Sequence, residues 1–159
     1  MPVVVQLSEF GVPSADDDDA WREALGEVEA AGGGVLLFDQ PGESRVRSPV
    51  RLPTSDRGFG LPIRISGLGR SMCTIVGNRV DGPVLTWDEV PSRSVFDFVL
   101  EGLTIRRLDD ETATPSGSHA AISFVGDSAG RIVNSRFSDL MVLQNGNAAD
   151  ALIDLGGLL

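Results

Sequence analysis

The sequence predicts an all-β fold, a solenoid of about three coils of short strands with one α-helix capping its N-terminal side. Three observations predict it. The chain of 159 residues contains 19 glycines and 9 prolines, a composition typical of turn-rich β architectures. An amphipathic helical segment precedes a run of glycines and an apolar strand. From residue 62 onward, short alternating segments recur at intervals of roughly 32 to 35 residues.

The helix is predicted between the acidic run Asp16–Asp19 and the glycines Gly32–Gly34. Aspartates at a helix start cap free N–H groups and suit the positive end of the helix dipole. We therefore interpret the acidic run as capping and solvation. Calcium binding is the alternative, although a calcium loop places its carboxylates at alternate positions around a glycine turn. The apolar face at helical spacing contains Ala20, Trp21, Ala24, Leu25, Val28 and Ala31.

Strands are predicted before and after this helix. A short strand covers residues 3–7, and Val35–Phe38 is a continuous apolar run typical of a strand buried on both faces. After the turn at Pro41-Gly42, residues 45–52 alternate between arginines and apolar side chains. The whole chain, 1–159, is predicted to be one domain, with the strand and helix in 1–34 and the coils in 35–159.

A weak internal repeat predicts the coils. Residues 63–68 align with residues 98–103, and residues 100–105 align with residues 132–137. Each segment has apolar residues at alternate positions and a glycine or asparagine at one fixed place, where a sharp corner requires left-handed backbone angles. A second set of strands is predicted between these segments, at Val84–Trp87, Ala120–Phe124 and Ala151–Leu155.

The N-terminal half resembles the pectate-lyase superfamily, over roughly residues 3–80. The resemblance is carried in order by Phe10-Gly11-Val12, Asp16–Trp21, Gly32–Val35, Asp39–Gly42 and Gly67–Arg70. Asp18 stands where threonine is usual in that family, and Ser44 stands where an aromatic residue is common. The resemblance implies a right-handed, single-stranded parallel β-helix whose first coil is covered by the capping helix.

Composition and charge exclude several function classes. The net charge of −10, with 13 basic residues that are all arginine, disfavours binding to nucleic acids and docking on anionic membranes. We expect no membrane insertion, because no run approaches the roughly 20 apolar residues of a membrane span. Without lysine there is no Schiff-base chemistry. The single cysteine, Cys73, forms no intrachain disulfide and is interpreted as a small buried hydrophobe. The first residues lack the pattern of a signal peptide, so we expect synthesis in the cytoplasm.

Candidate catalytic groups are weak. A glycosidase needs two carboxylates about 5 to 9.5 Å apart, and we interpret the available ones as solvated. The residue pair Arg106-Arg107 is interpreted in the same way. His119, the only histidine, is interpreted as structural, with a general base as the alternative. The candidate carboxylates are Asp81, Asp88, Glu89, Asp97, Glu101, Asp109, Asp110, Glu111, Asp127 and Asp139.

No catalytic, metal or cofactor site is predicted. The hydrolase and lyase signatures of the resembled superfamily are missing from the chain, and one histidine with one cysteine does not make a four-ligand zinc site. Trp21 lies on the core face of the helix and Trp87 ends a strand, so neither predicts a flat sugar platform. No motif in this sequence therefore supports an enzymatic function.

The C-terminal end is predicted to be an interface, because the apolar end of the last coil has no covering helix. The predicted interface residues are Leu152, Ile153, Leu155, Leu158 and Leu159. With the resemblance, this implies a non-catalytic structural component of a phage virion, such as a tail spike, tail fibre or head-decoration subunit.

The resemblance also implies a homotrimer that contacts other virion proteins, with a cell-surface glycan as a further candidate partner. Such a protein is made in the host cytoplasm and resides in the virion, with an extracellular location as the alternative. The alternative function is the N-terminal portion of a polysaccharide lyase or glycoside hydrolase whose active site lies on later coils. Adhesins and other solenoid binding modules are a third possibility.

Overall fold

The structure is a computed structural model that describes residues 2–56, 58–87, 94–108, 120–124, 132–145 and 153–154. In this part of the chain, parallel strands curl into a half-barrel beside one α-helix, which agrees with the predicted all-β class. No helix in the described part is long and apolar enough to cross a membrane.

The elements follow the predicted order. The helix α1 spans Asp18–Ala30, and a short 3₁₀ turn occupies Leu7–Phe10. The first strands are β1 (Val3–Gln6), β2 (Gly34–Phe38), β3 (Gly42–Val46), β4 (Val50–Leu52), β5 (Ile63–Gly67), β6 (Cys73–Asn78) and β7 (Leu85–Trp87). The later strands are β8 (Val95–Phe96), β9 (Val99–Leu108), β10 (Ile122–Ser123), β11 (Ile132–Val133), β12 (Arg136–Asn145) and β13 (Ile153–Asp154).

Three sheets contain these strands, and every pairing between named strands is parallel. The largest sheet joins β1, β2, β5, β9, β6 and β3 in that order, with β12 also pairing with β9. The long strand β9 belongs to two rows, because its first half pairs with β5 and its second half with β6. The second sheet has the order β13-β10-β7-β4, and the third pairs β11 with β8.

One of the two predicted repeat alignments is confirmed and the other is wrong. Ile65 pairs with Leu100, the predicted register. Leu100, however, pairs with Phe137, and Ile132 pairs with Val95 instead. The contacts between these later segments join residues 37 apart in sequence. The predicted alignment had an offset of only 32. A period-2 pattern fits several registers equally well, so it did not fix this one.

The corner residues have left-handed backbone angles, as predicted. They contact different residues from those that the predicted alignment placed beside them. Asn134 has φ 54° and its side-chain amide donates to the carboxylate of Asp97, which has φ 56°. It does not stack on Gly102, as the incorrect alignment implied. Gly102, with φ 68°, lies against Gly67 on the neighbouring strand. The second predicted set of strands is confirmed, since β7, β10 and β13 are neighbours in one sheet.

The core lies between the sheets and the helix. As predicted, α1 buries Trp21, Ala24, Leu25 and Val28, and it packs on β1, β2 and β4. Ala31 lies beyond the end of the helix and is exposed. The helix therefore covers the core beside β1, β2 and β4.

The capping role predicted for the acidic run is wrong for its central residue. Asp17 occupies the N-cap position of α1, but its side chain makes no capping hydrogen bond. Its buried carboxylate instead accepts hydrogen bonds from Ser14 N, at 2.8 Å, and from the Ser44 hydroxyl, at 2.6 Å. Asp18 accepts from the backbone N–H groups of Arg47 and Ser48. Both aspartates thus tie the helix start to neighbouring loops and strands.

Candidate assembly site

The C-terminal end of the described core is less well covered than its interior. On β9, the inward-facing Leu100, Leu103 and Ile105 are each 0% exposed. The inward-facing residues of the next strand, β12, are only partly buried although they pack on the same core: Phe137, Leu140 and Val142. Within the described residues, β12 pairs with β9 alone. This strand, together with the terminal strands β11 and β13, forms what we call the open end.

An aromatic cluster lies beneath the open end. Phe98 and Phe124 have ring centroids 5.4 Å apart in an edge-on arrangement, and Trp87 lies 5.6 Å from Phe98. Phe137 on β12 adds a ring 5.8 Å from Phe98. Trp87 ends β7 as predicted and is buried, and its indole N–H has no hydrogen-bond partner among the described residues. The core therefore reaches the open end with large aromatic side chains.

Of the predicted interface residues, the structure describes Ile153 alone. Ile153 lies on β13 at the edge of its sheet and is 38% exposed. Leu152, Leu155, Leu158 and Leu159 lie outside the described residues. Ile153 pairs with Ile122 of β10, which lies two residues before Phe124. It therefore belongs to the rim of the open end.

The carboxylate of Glu101 is not solvated, contrary to our interpretation. Its side chain is 15% exposed, and it lies on β9 between Arg64 of β5 and Arg136 of β12. The distance from Arg136 Nη2 to Glu101 Oε2 is 2.6 Å, and Ser66 and Ser138 also donate to the carboxylate. Burial acts to raise the pKa of Glu101, but the hydrogen bonds from Arg64, Arg136 and Ser66 outweigh it and lower the pKa.

Two further candidate carboxylates make structural contacts. Asp139 accepts a hydrogen bond from Arg70 N at 3.2 Å and forms an ion pair with the Arg70 guanidinium. Asp97 accepts from Asn134. The other candidates that we named, Asp88, Glu89, Asp109, Asp110, Glu111 and Asp127, lie outside the described residues together with His119. Asp81 is described and has interaction partners of its own.

The interpretation of Arg106-Arg107 as a solvated pair is wrong. Both residues lie within β9, where alternate side chains point to opposite faces. Arg107 is 6% exposed, and its guanidinium donates to the carbonyl oxygens of Val80 and Gly82. Arg106 lies on the outer face and forms an ion pair with Glu43 at 2.9 Å. A buried arginine thus fixes the turn between β6 and β7.

Cys73 is buried, as predicted. Its sulfur lies 3.4 Å from the carbonyl oxygen of Phe38 and accepts from the Leu68 N–H. Burial raises the pKa of the thiol, and the negative charge of Asp39 adds to this effect. The Asp39 carboxylate itself accepts two hydrogen bonds from Ser8, which outweigh its burial and lower its pKa.

The outer surface of the largest sheet was missed by the sequence interpretation. Five described arginines on this sheet and its adjoining turn share three described carboxylates, so arginine is in excess among the described ion pairs of this surface. We call it the arginine surface; it consists of Arg45, Arg64, Arg70, Arg106 and Arg136 with Glu43, Glu101 and Asp139. The signal was the alternation of arginines with apolar residues, which becomes a cluster only when strands distant in sequence are paired.

The described residues contain no group of three histidine, cysteine, aspartate or glutamate side chains placed to hold a metal ion.

In comparisons with known proteins, no protein-family model, no curated protein and no solved structure matches this chain.

Proposed function

We propose that this chain is a right-handed parallel β-helix of the pectate-lyase type. Strands that follow one another along the chain pair in parallel with strands one circuit later, as in β2–β5–β9–β12. Parallel connections of this kind are right-handed in nearly all proteins. The capping helix and the paired corner residues Asp97 and Asn134 support the same architecture.

We further propose that the protein is a non-catalytic structural subunit of a phage virion, a tail spike, tail fibre or head-decoration protein. The observation that carries the assembly role is the open end, where Phe137, Leu140 and Val142 are only partly buried. An exposed strand edge beside apolar side chains is a surface that other chains pair with. The stoichiometry that we propose from the resemblance is a homotrimer, and the location is the virion.

The native mass in solution tests this proposal. Light scattering after size exclusion is expected to give about three times the 16.8 kDa chain mass. The substitution Ile153→Asp places a charge at the rim of the open end and is expected to reduce the assembled fraction. Val4→Asp is the matched control, because Val4 is 56% exposed on β1, a terminal strand of the largest sheet, whereas Ile153 lies in the second sheet. A wild-type monomer would contradict the proposal.

A second candidate function is favoured by the same edge of β12, which pairs with no other strand in the described part of the chain. A strand edge that accepts another chain also suits a further coil, so the alternative is the N-terminal portion of a polysaccharide lyase or glycoside hydrolase. Incubation of the chain with bacterial surface polysaccharides, followed by measurement of released reducing or unsaturated ends, separates the two. Turnover that is abolished by substituting one carboxylate would favour the enzyme over the structural subunit.

A further inference from the structure

The two charged surfaces of this chain are opposite in sign. Along α1, Asp19, Glu23 and Glu27 follow one another at four-residue intervals and therefore lie in one row on the solvent side. We call this row the acidic crest. Like charges at this spacing destabilise a helix by a few tenths of a kcal/mol. Among the described contacts, Arg22 pairs with Asp19, and no ion pair is described for Glu23 or Glu27.

The arginine surface is the complement of this crest. Its ion pairs leave arginine in excess, and Arg64, Arg70 and Arg136 keep side-chain exposures of 47%, 56% and 60%. Exposed apolar side chains border these arginines: Leu68 and Met72 flank Arg70 on one turn, and Met141 and Leu143 lie on the outer side of β12. Apolar anchors within a charged rim are typical of contact surfaces between proteins.

A groove beside the acidic crest provides a place for such an apolar side chain. It lies between α1 and the segment from β3 to Pro53, and it has a volume of about 240 Å³. Trp21, Leu25 and Val50 contribute to its lining. Gly26 also lines it, and a Cβ on Gly26 would meet no atom within 4 Å. Packing within the chain therefore does not require a glycine at position 26. A glycine there would instead allow another chain to approach the helix closely.

We propose that two copies of this chain meet through these unlike surfaces, with the acidic crest of one against the arginine surface of the next. The turn that carries Leu68 and Met72 then seats at the groove beside Gly26. A contact between two different surfaces repeats from copy to copy and closes into a ring when the rotation allows it. The inference rests on the proposed homotrimer and adds a second contact between its copies, distinct from the open end.

Charge complementarity favours contact between unlike surfaces of two copies over contact between like surfaces. Two acidic crests, or two arginine surfaces, would place like charges opposite each other, which costs several kcal/mol at an interface. When the acidic crest faces the arginine surface, the excess negative charge of the crest neutralises the excess positive charge of the arginines. This attraction is screened by salt, since the Debye length falls to about 3 Å at 1 M ionic strength. Association of the wild-type chain is therefore expected to weaken as salt is added.

Charge reversal with light scattering tests the proposal. Glu27→Arg is expected to weaken association about tenfold or more. Asp56→Arg, an equal charge change at an exposed position of the segment between β4 and β5, is expected to leave association unchanged. Arg136→Glu should weaken association as well, while Arg64 still holds Glu101 in that variant. The double variant Glu27→Arg with Arg136→Glu should recover much of the lost association.

The outcomes separate this inference from the proposed function. If the wild-type chain is a trimer that Ile153→Asp disrupts but Glu27→Arg leaves intact, the surfaces proposed here are wrong and the structural role stands. Equal loss of association in the Glu27→Arg and Asp56→Arg variants also overturns the inference, because the effect would follow net charge alone. A monomeric wild type contradicts both proposals. Circular dichroism of each variant confirms that the helix remains folded.

Discussion

The hydroxyl of Ser44 donates a 2.6 Å hydrogen bond to Asp17 and accepts a 2.8 Å hydrogen bond from the indole N–H of Trp21. All three residues are buried, so one small side chain joins the helix start, the helix interior and β3. Ser44 is buried on β3, as is Val46 two residues later, and its register partner on β6 is Ile75. The buried serine gives the indole N–H of Trp21 an acceptor and gives the Asp17 carboxylate a donor in addition to Ser14.

Ser44→Ala is therefore expected to lower the free energy of unfolding by about 1–3 kcal/mol, because it leaves a buried carboxylate and a buried indole N–H each short of a partner. Urea unfolding followed by tryptophan fluorescence measures the change. Ser71→Ala is the matched control, since Ser71 is exposed on a turn. If both variants unfold at the same urea concentration, the hydrogen bonds of Ser44 contribute nothing to stability.

The contact of Gly67 with Gly102 makes a second prediction. A Cβ on Gly102 would lie 2.5 Å from the carbonyl oxygen of Gly67, and Gly102 also has φ 68°. Gly102→Ala is thus expected to destabilise the fold by about 1–3 kcal/mol through overpacking and backbone strain. Gly26→Ala, in the helix with open space around it, is expected to stabilise by about 0.5–1 kcal/mol. Thermal unfolding of the two variants should shift in opposite directions.

These glycines show what the sequence could and could not predict. The first repeat alignment placed Gly67 opposite Gly102 because both segments share the same alternation and the same corner residue. The second alignment failed because it matched Asn134 to Gly102 as a corner residue. The actual partner of Asn134, Asp97, directly follows the short strand β8, which the pattern did not mark. Local pattern predicts which residues face inward, whereas the length of each circuit is set by loops with no periodic signal.

The polar contacts were the least predictable part. The acidic run was expected to cap the helix, yet the folded chain brings Ser44 to Asp17 from a distance of 27 residues. In the same way, the sequence predicted a solvated Arg107. In the structure, its position on β9 brings its guanidinium to the carbonyl oxygens of a neighbouring turn. Such contacts depend on which strands become neighbours, which composition and spacing do not encode.

The buried thiol of Cys73 makes a prediction about reactivity. Burial raises the pKa of this thiol above its ordinary value of 9.0, so the reactive thiolate is scarce at pH 8 as well as shielded. Labelling of the native protein by a disulfide reagent is expected to be limited by opening of the structure. In concentrated urea the same thiol should react at once. Rapid, complete labelling without denaturant would show that β6 is accessible in the native state.

The carboxylate of Glu101 predicts how stability depends on acid. Its pKa is lowered in the folded chain, because hydrogen bonds from Arg64, Arg136 and Ser66 outweigh burial. In the unfolded chain the carboxyl titrates near its ordinary value of 4.5. Below that pH the unfolded state takes up a proton first, so the stabilisation is fully present above pH 4.5 and is lost as pH falls through the lower folded value.

Glu101→Gln tests this assignment, because glutamine keeps the shape of the side chain but cannot titrate. The variant is expected to be less stable than the wild type at pH 7, since two arginines lose their shared carboxylate. Its stability should also fall less steeply than that of the wild type as the pH drops below 4.5, because the wild-type carboxyl takes up its proton there and the amide does not. Urea unfolding at several pH values gives both quantities. Parallel pH profiles for the two proteins would mean that the ion pairs of Glu101 do not hold β12 against β9.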